Sequence, residues 1–363
     1  MSVADRPNES APSASDIAAA CRDAGLVRLV ATADGDALAA TGLLARALAA
    51  TDVPFQASVA RIPGLEGTEA DVTLTVGTTG GDVALAAGPL SATAYAAAGT
   101  LGDDPDPVLA LAGTLAGGFA PGEDGQGILE ACEARGVTRR PGIAAPVADD
   151  ADALAHTTWL HGPFSGDADA AEAALADCDR TEEAGRVAAS YAALACVQDA
   201  PPRAAEAVGR ALHPYAGGPV ETVGGYADVL EAVARERPGT GVALALGYDA
   251  HDAALAAWRE HAQSAHAALK STDIGRYEGC VVVRTSGPVS TVARLARDFR
   301  SPEPVALVVA DGEAAVAGTD DVIAPLEAAA DAVAGEWVGR GTAGYARFST
   351  DTEEFTQAFR EAL

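Results

Sequence analysis

The chain has 363 residues, enough for two or three domains with ample cores. Its 52 acidic residues outnumber 24 basic ones, for a net charge of −28, yet 49% of the chain is hydrophobic and the mean hydropathy is +0.12. That combination excludes a disordered acidic tail, and no apolar run approaches the roughly 20 residues of a membrane-spanning helix.

Only one basic residue is a lysine, Lys270; alanine is abundant and methionine is used once. Such a balance is the surface chemistry of a protein from a salt-loving microbe. Carboxylates hold water and cations there, and near molar salt the Debye length falls to about 3 Å, so self-repulsion is screened. Net charge is then a poor guide to partners, and local arginine clusters weigh more. Cys21, Cys132, Cys178, Cys196 and Cys280 have no metal-ligand or redox spacing and read as reduced, buried thiols. The N-terminus, MSVADRPNESAPSASD, lacks the basic start and apolar core of a signal peptide, so a cytoplasmic location is expected.

In chain order, residues 1–14 are Pro/Ser/Asn-rich and read as a mobile N-terminus. Ser15 and Asp16 can cap a helix that runs to Arg22. The apolar run from Leu26 to Ala31 reads as a buried strand. It breaks at Thr32-Ala33-Asp34-Gly35-Asp36, and an Ala/Leu-rich helix runs from Ala37 to Ala50. Strand, acidic turn and helix open a parallel α/β domain, and the turn falls at the carboxyl end of the strand, where open sheets place their ligands. Asp34 and Asp36 could hold a hard divalent cation through oxygen ligands. Equally, Asp36 could cap the helix and Asp34 could solvate the loop.

Phe55–Ala60 and Asp71–Val76 read as further strands. The turn Gly77-Thr78-Thr79-Gly80-Gly81-Asp82 is a loop with positive φ angles, or a cradle of N–H groups for phosphate. Helices follow at Ala92–Leu101, Pro107–Ala116 and Gly127–Arg135. His156 and His161 stand five apart, as do His261 and His266, which does not put either pair on one helical face. They read as packing or capping residues, with metal binding as the alternative. From Asp167 to Lys270 the chain is mostly helical, broken by Asp, Pro and Gly.

The last stretch changes period. Tyr277–Thr285 reads as a strand, Val289–Phe299 as a helix, and Val305–Ala310 with Ala314–Ala317 as a hairpin about Asp311-Gly312. A helix at Asp321–Ala334 precedes Trp337–Phe348, and Thr350 or Asp351 caps a final helix. Arg294, Arg297 and Arg300 recur every three residues and give a basic row in an acidic chain. Such a row is a solvated face or a binding face.

Thr32-Ala33-Asp34-Gly35-Asp36-Ala37 resembles the first motif of the DHH phosphoesterase superfamily, His-x-Asp-x-Asp-Gly before a small-residue helix. Both aspartates match; Thr32 stands for the histidine and Ala37 for the glycine. The link from Arg139 to Asp167, with Pro141-Gly142, Pro146 and Gly162-Pro163-Phe164-Ser165-Gly166-Asp167, resembles that of archaeal RecJ-like proteins. The C-terminal order resembles the domain that accompanies a DHH domain. Its phosphate-gripping Gly-Gly-Gly-His turn corresponds here to Gly339-Arg340-Gly341-Thr342. The Asp-His-His triplet that names the superfamily is absent, for no histidine precedes His156, and the interval from Asp82 to Ser91 is too short for the missing strand and triplet.

The resemblance implies a parallel-sheet α/β domain over residues 15–165, a helical connector over 166–271, and a smaller mixed α/β domain over 272–363, facing the first across a cleft. It implies Mn²⁺ or Mg²⁺ on Asp34 and Asp36, the catalytic candidates, with Asp82 as the nearest third carboxylate. Arg294, Arg297, Arg300, Gly339, Arg340, Gly341 and Arg347 are the substrate-binding candidates, for single-stranded DNA or RNA. Family chemistry needs several carboxylates and histidines around two ions about 4 Å apart. Two aspartates cannot build that cage, so the expectation is a RecJ-like exonuclease homologue of DNA replication and repair whose metal site has decayed. Related inactive members are structural parts of the replicative helicase beside the GINS complex. The alternative is an active exonuclease or small phosphoesterase with ligands from Asp82, Glu123 or Asp124. A third reading is an unrelated α/β binding module.

Overall fold

Six consecutive buried residues, Val27–Thr32, form the central strand β1. It pairs in parallel with β2, Phe55–Ala60, on one side and β3, Val72–Val76, on the other; β4, Val83–Leu85, completes the order β2-β1-β3-β4. Continuous burial of β1 is what a parallel strand covered on both faces requires, whereas β2 alternates as an edge strand should. The interval after Asp82, too short in the sequence for a further strand, holds the three-residue β4. The computed structural model describes residues 11–363 except 68, 123–126, 177–183 and 273, and omits the side chain of Ala184. Glu123, Asp124 and Cys178 therefore lie outside the described residues.

The register sets the site. Thr32 lies opposite Ala60, and Ala31 opposite Val76, so the turns after β1, β2 and β3 leave from one edge of the sheet. The helix Gly35–Ala50 runs back from that edge and packs among Leu90–Leu101, Pro107–Ala116 and Val223–Glu236. Alanine and glycine let these helices approach closely. A Cβ on Gly42 would come within 2.7 Å of Ala245 in the helix Pro238–Ala245.

A two-residue ladder in the middle of the chain joins β5, Thr138–Arg139, to β6, Tyr215–Ala216. The second sheet is mixed. Its strands are β7 Ile274–Tyr277, β8 Cys280–Arg284, β9 Val305–Ala310, β10 Glu313–Gly318, β11 Glu336–Arg340 and β12 Ala343–Arg347, in the order β11-β12-β10-β9-β8-β7. Only β8 and β9 run parallel. The helix Val289–Phe299 covers one face, and Ile323–Ala332 with Thr352–Ala362 covers the other. The segment expected as a single strand, Tyr277–Thr285, belongs to a hairpin, and Trp337–Phe348 lies in another. Glu278-Gly279 folds Tyr277–Thr285 back on the residues before it, with Gly279 at φ 77°, and Gly341-Thr342 does the same between β11 and β12.

The helical middle does not stand apart from the two sheets. Val223–Glu236, Pro238–Ala245 and the first half of His251–Ser271 share the core of the parallel sheet. Ala168–Leu175, Ala184–Val197, Ala204–Ala211 and the end of His251–Ser271 share a core with the C-terminal sheet. One 21-residue helix thus enters both cores. Among the described residues no helix is long and apolar enough to cross a membrane.

Candidate functional site at the edge of the parallel sheet

Asp34 is the N-cap of the helix Gly35–Ala50, its Oδ1 accepting from Ala37 N at 2.9 Å. Thr32 Oγ1 donates to the other oxygen at 2.6 Å. Asp36, in the first turn of the helix, is completely buried. It caps a different helix: its two oxygens accept from Leu90 N and Ser91 N, each at 2.9 Å. Leu90–Leu101 starts at Pro89 with no side-chain cap of its own, so Asp36 supplies from outside the acceptor that the free N–H groups need. The sequence predicts Ser15 and Asp16 as caps of the first helix; its cap is Ser13, with Asp16 completing the capping box.

Two carboxylates at one sheet edge repel unless a cation joins them. The cation here is Arg340, from the end of β11. Its Nη2 lies 3.0 Å from Asp34 Oδ1 and its Nη1 lies 3.5 Å from Asp36 Oδ2. Burial pushes the Asp36 carboxyl up from the ordinary carboxylate range; Arg340 pulls it back, and Asp34 pushes it further up. Burial disfavours the Arg340 charge, but Asp34 and Asp36 outweigh it and hold the guanidinium above its usual value.

Two more contacts join the same edge to other parts of the fold. Glu231 Oε2 accepts from Gly35 N at 2.5 Å while its other oxygen pairs with Arg235 at 2.5 Å. Arg61, directly after β2, meets Glu313 of β10 at 2.7 Å; Tyr345 of β12 donates to the same carboxylate oxygen and its ring lies under the guanidinium. Arg340 and Arg61 thus tie the C-terminal sheet to the ligand edge of the parallel sheet.

The other candidates lie elsewhere. Asp82 precedes β4 at the opposite edge, where its side chain accepts from Thr73 N at 2.8 Å and its own N–H donates to Thr73 O, so it cannot join Asp34 and Asp36. Arg294 donates to Thr158 O and Oγ1 at 2.9 and 2.7 Å and stacks on Trp159. Arg297 binds Asp298 and Gly318 O, and Arg300 reaches Leu269 O. Each step of three residues turns the helix by about −60°, so these three arginines meet three different surroundings, not one open face. Arg347 is paired with the exposed Glu336 on the same hairpin.

Gly339 and Gly341 serve the hairpin itself. Gly341 holds the first central position of a two-residue turn at φ 52°, as a type II′ turn requires. A Cβ on Gly339 would lie 2.8 Å from Ala343 O. Gly341 O and Thr342 O accept from Val322 N and Gly318 N.

The histidines also find internal partners. His161 and His266 stack with their Nδ1 atoms 3.1 Å apart, and burial lowers His161 to about 4. His261 bridges Glu236 and Thr291.

Comparison with known proteins places the chain. It is 51% identical over 378 aligned positions to the "Uncharacterized protein rrnAC1427" of Haloarcula marismortui, with the whole of both chains covered. The chain belongs to the rrnAC1427 family. The family model for the rrnAC1427 C-terminal domain matches residues 272–361, the segment that forms the mixed sheet. In fold, this rrnAC1427 relative is similar to CDC45 from Entamoeba histolytica: 9% identity, TM-score 0.54, covering 96% of this chain and 97% of that one. It is also similar to RecJ from Thermus thermophilus, whose crystal structure contains Mg²⁺: 17% identity, TM-score 0.50, covering 96% of this chain. The chain spans half the length of that RecJ. Its fold is the RecJ- and CDC45-like, DHH-type fold.

RecJ with Mg²⁺ raises the question of whether this rrnAC1427 relative could hold such an ion. The donor set does not fit. Both Asp36 oxygens already accept backbone N–H groups, Arg340 stands where a cation would balance the charge, and among the described residues no three His, Cys, Asp or Glu side chains converge.

Proposed function

We propose that this protein is a RecJ-like homologue that works without catalysis, as a structural component in DNA replication or repair that holds single-stranded nucleic acid or partner proteins. The observation that carries the reading is Arg340 meeting both Asp34 and Asp36. A metal-dependent phosphodiesterase needs those oxygens free for a cation that activates water and neutralises the leaving oxygen. Here the protein's own guanidinium neutralises them, and Arg61 and Glu313 add a second tie between the sheets. The fold likeness to CDC45 along the whole chain supports the replisome-scaffold role implied by the resemblance, with a GINS-type complex as the partner to look for.

Labelled single-stranded DNA and RNA incubated with the pure protein and Mn²⁺ or Mg²⁺ should remain intact, and affinity purification of the tagged chain from its own host should recover replication proteins. Robust degradation that disappears in both Asp34→Ala and Asp36→Ala would establish the active exonuclease or phosphoesterase instead.

A further inference from the structure

The outermost strand of the parallel sheet, on the side away from β4, is β2. We infer that β2 pairs with β2 of a second copy of this chain, antiparallel about a two-fold axis at Ala57. Two four-stranded sheets then join into one continuous sheet.

The first observation is what this strand lacks. It pairs only with β1, and among the described residues no other backbone hydrogen bond reaches Phe55–Ala60. Natural outermost strands are protected by charge, proline, bulges or shortness, because their free N–H and C=O groups are a template for another strand. The other ends of the four- and six-stranded sheets follow that rule. β4 has three residues, β7 carries Arg276, and β11 carries Glu336 and Arg340. β2 reads Phe-Gln-Ala-Ser-Val-Ala, with no charge, proline or glycine, in a chain where 21% of residues are charged. Phe55, Ala57 and Val59 are half-buried against the helix-covered core, and Gln56, Ser58 and Ala60 are exposed.

The second observation is that this strand matches itself. A two-fold axis at Ala57 sets Phe55 opposite Val59 of the second copy, and Gln56 opposite its Ser58. Apolar side chains meet on the helix side and polar ones on the open side, each pair made twice. An axis at Ser58 would set Phe55 against Arg61 instead. The flanking charges favour the same arrangement. Asp52, exposed, precedes the strand, and Arg61, a third exposed beside Glu313, follows it. Antiparallel pairing sets Val53 opposite Arg61, so each Asp52 comes within one residue of the other copy's Arg61. Parallel pairing would bring like charges together. Backbone hydrogen bonds carry no net charge to be screened, and near molar salt a Debye length of about 3 Å screens the repulsion between two chains of −28.

Sedimentation equilibrium of the full chain in molar KCl should show a monomer–dimer equilibrium with a Kd of about 10–100 µM, as suits a small interface. Gln56→Lys combined with Ser58→Lys sets like charges directly opposite each other and should raise that Kd about fivefold. Gln56→Lys combined with Ser58→Glu sets opposite charges in the same places and should dimerise at least as tightly as the native chain. Both positions are exposed, so unfolding midpoints of both double variants should match the native one. A chain still monomeric at about 1 mM, a dimer indifferent to the paired lysines, or one weakened as much by the lysine–glutamate combination would each overturn the inference.

Discussion

Two buried aspartates in this molecule are linked to arginines of the C-terminal region, and they do it differently. Asp228, in the helix Val223–Glu236, accepts from Thr158 N at 2.9 Å, Thr158 Oγ1 at 2.5 Å and Trp258 Nε1 at 2.8 Å. Arg294 reaches it only through Thr158. Asp36 accepts two backbone N–H groups and faces Arg340 directly. The first sits among packed helices; the second sits at the edge where open parallel sheets bind ligands. Both are nonetheless joints of the same kind, a desolvated carboxylate saturated by donors and balanced by one guanidinium. The sheet edge thus carries the same kind of contact as the core. The difference lies in how each can open. Arg340 is on a hairpin and a quarter exposed, so that joint could part by movement of two strands, whereas Asp228 cannot be freed without unpacking a helix.

Substitution should rank the two joints. Asp228→Ala strands Thr158 N and Trp258 Nε1 and removes the carboxylate that most favours the buried Arg294 charge, and should cost about 3–5 kcal/mol in urea or thermal unfolding. Asp36→Ala strands Leu90 N and Ser91 N but leaves Arg340 its contact with Asp34, and should cost about 2–3 kcal/mol. Equal costs, or a reversed order, would break the distinction between a core joint and an edge joint. Arg340→Met should cost less again, about 1–2 kcal/mol, because water can reach the vacated position. If Arg340→Met is more stable than the native chain, the cost of burying the guanidinium outweighs its pairing with Asp34 and Asp36.

The sequence makes the edge legible and hides the joint. β2 begins and ends as the sequence predicts, and β1 and β3 lie within one residue of expectation, because continuous or alternating apolar runs bounded by turn residues leave few alternatives. The aspartate turn stands out for the same reason. Its partner does not. Arg340 lies 304 residues beyond Asp36 and is notable in the sequence only as an arginine interrupting a glycine turn. There it reads as a phosphate contact, when its anion is in the chain itself. Arg61 and the N–H groups of Leu90 and Ser91 carry less signal still: an arginine ending an edge strand and two backbone donors beside a proline have no pattern that points across the fold. The arginine row is legible as a row but not as three separate contacts, since its three positions span about a third of a turn. The strand Ile274–Tyr277 is missed because Gly279 reverses the chain inside a run that reads as continuous.

The smallest expected effect tests whether an ordinary ion pair behaves unlike the Asp36 joint. Asp152 lies under Arg259, which donates to it at 3.1, 3.2 and 2.6 Å, and His156 Nδ1 is 2.8 Å from it. Burial raises its pKa, but Arg259 and His156 outweigh that and hold the carboxyl below its ordinary 3.8. A lowered carboxyl contributes stability that is complete above the ordinary value and is lost as pH falls through the lowered one. Asp152→Asn should therefore cost about 1 kcal/mol or less at neutral pH, and the gap from the native chain should close on acidification below 3.8. Asp36 has the opposite sign. Its raised pKa means that ionisation in the fold is unfavourable, so its contribution is complete below the ordinary carboxylate value and is lost as pH rises through the raised one. Unfolding curves of Asp152→Asn and Asp36→Ala, each subtracted from the native curve across the acid range, should then diverge. The Asp152 difference should shrink toward low pH while the Asp36 difference grows. Parallel curves would mean that Arg340 and the backbone donors of the helix Leu90–Leu101 together outweigh burial at Asp36, as Arg259 and His156 do at Asp152.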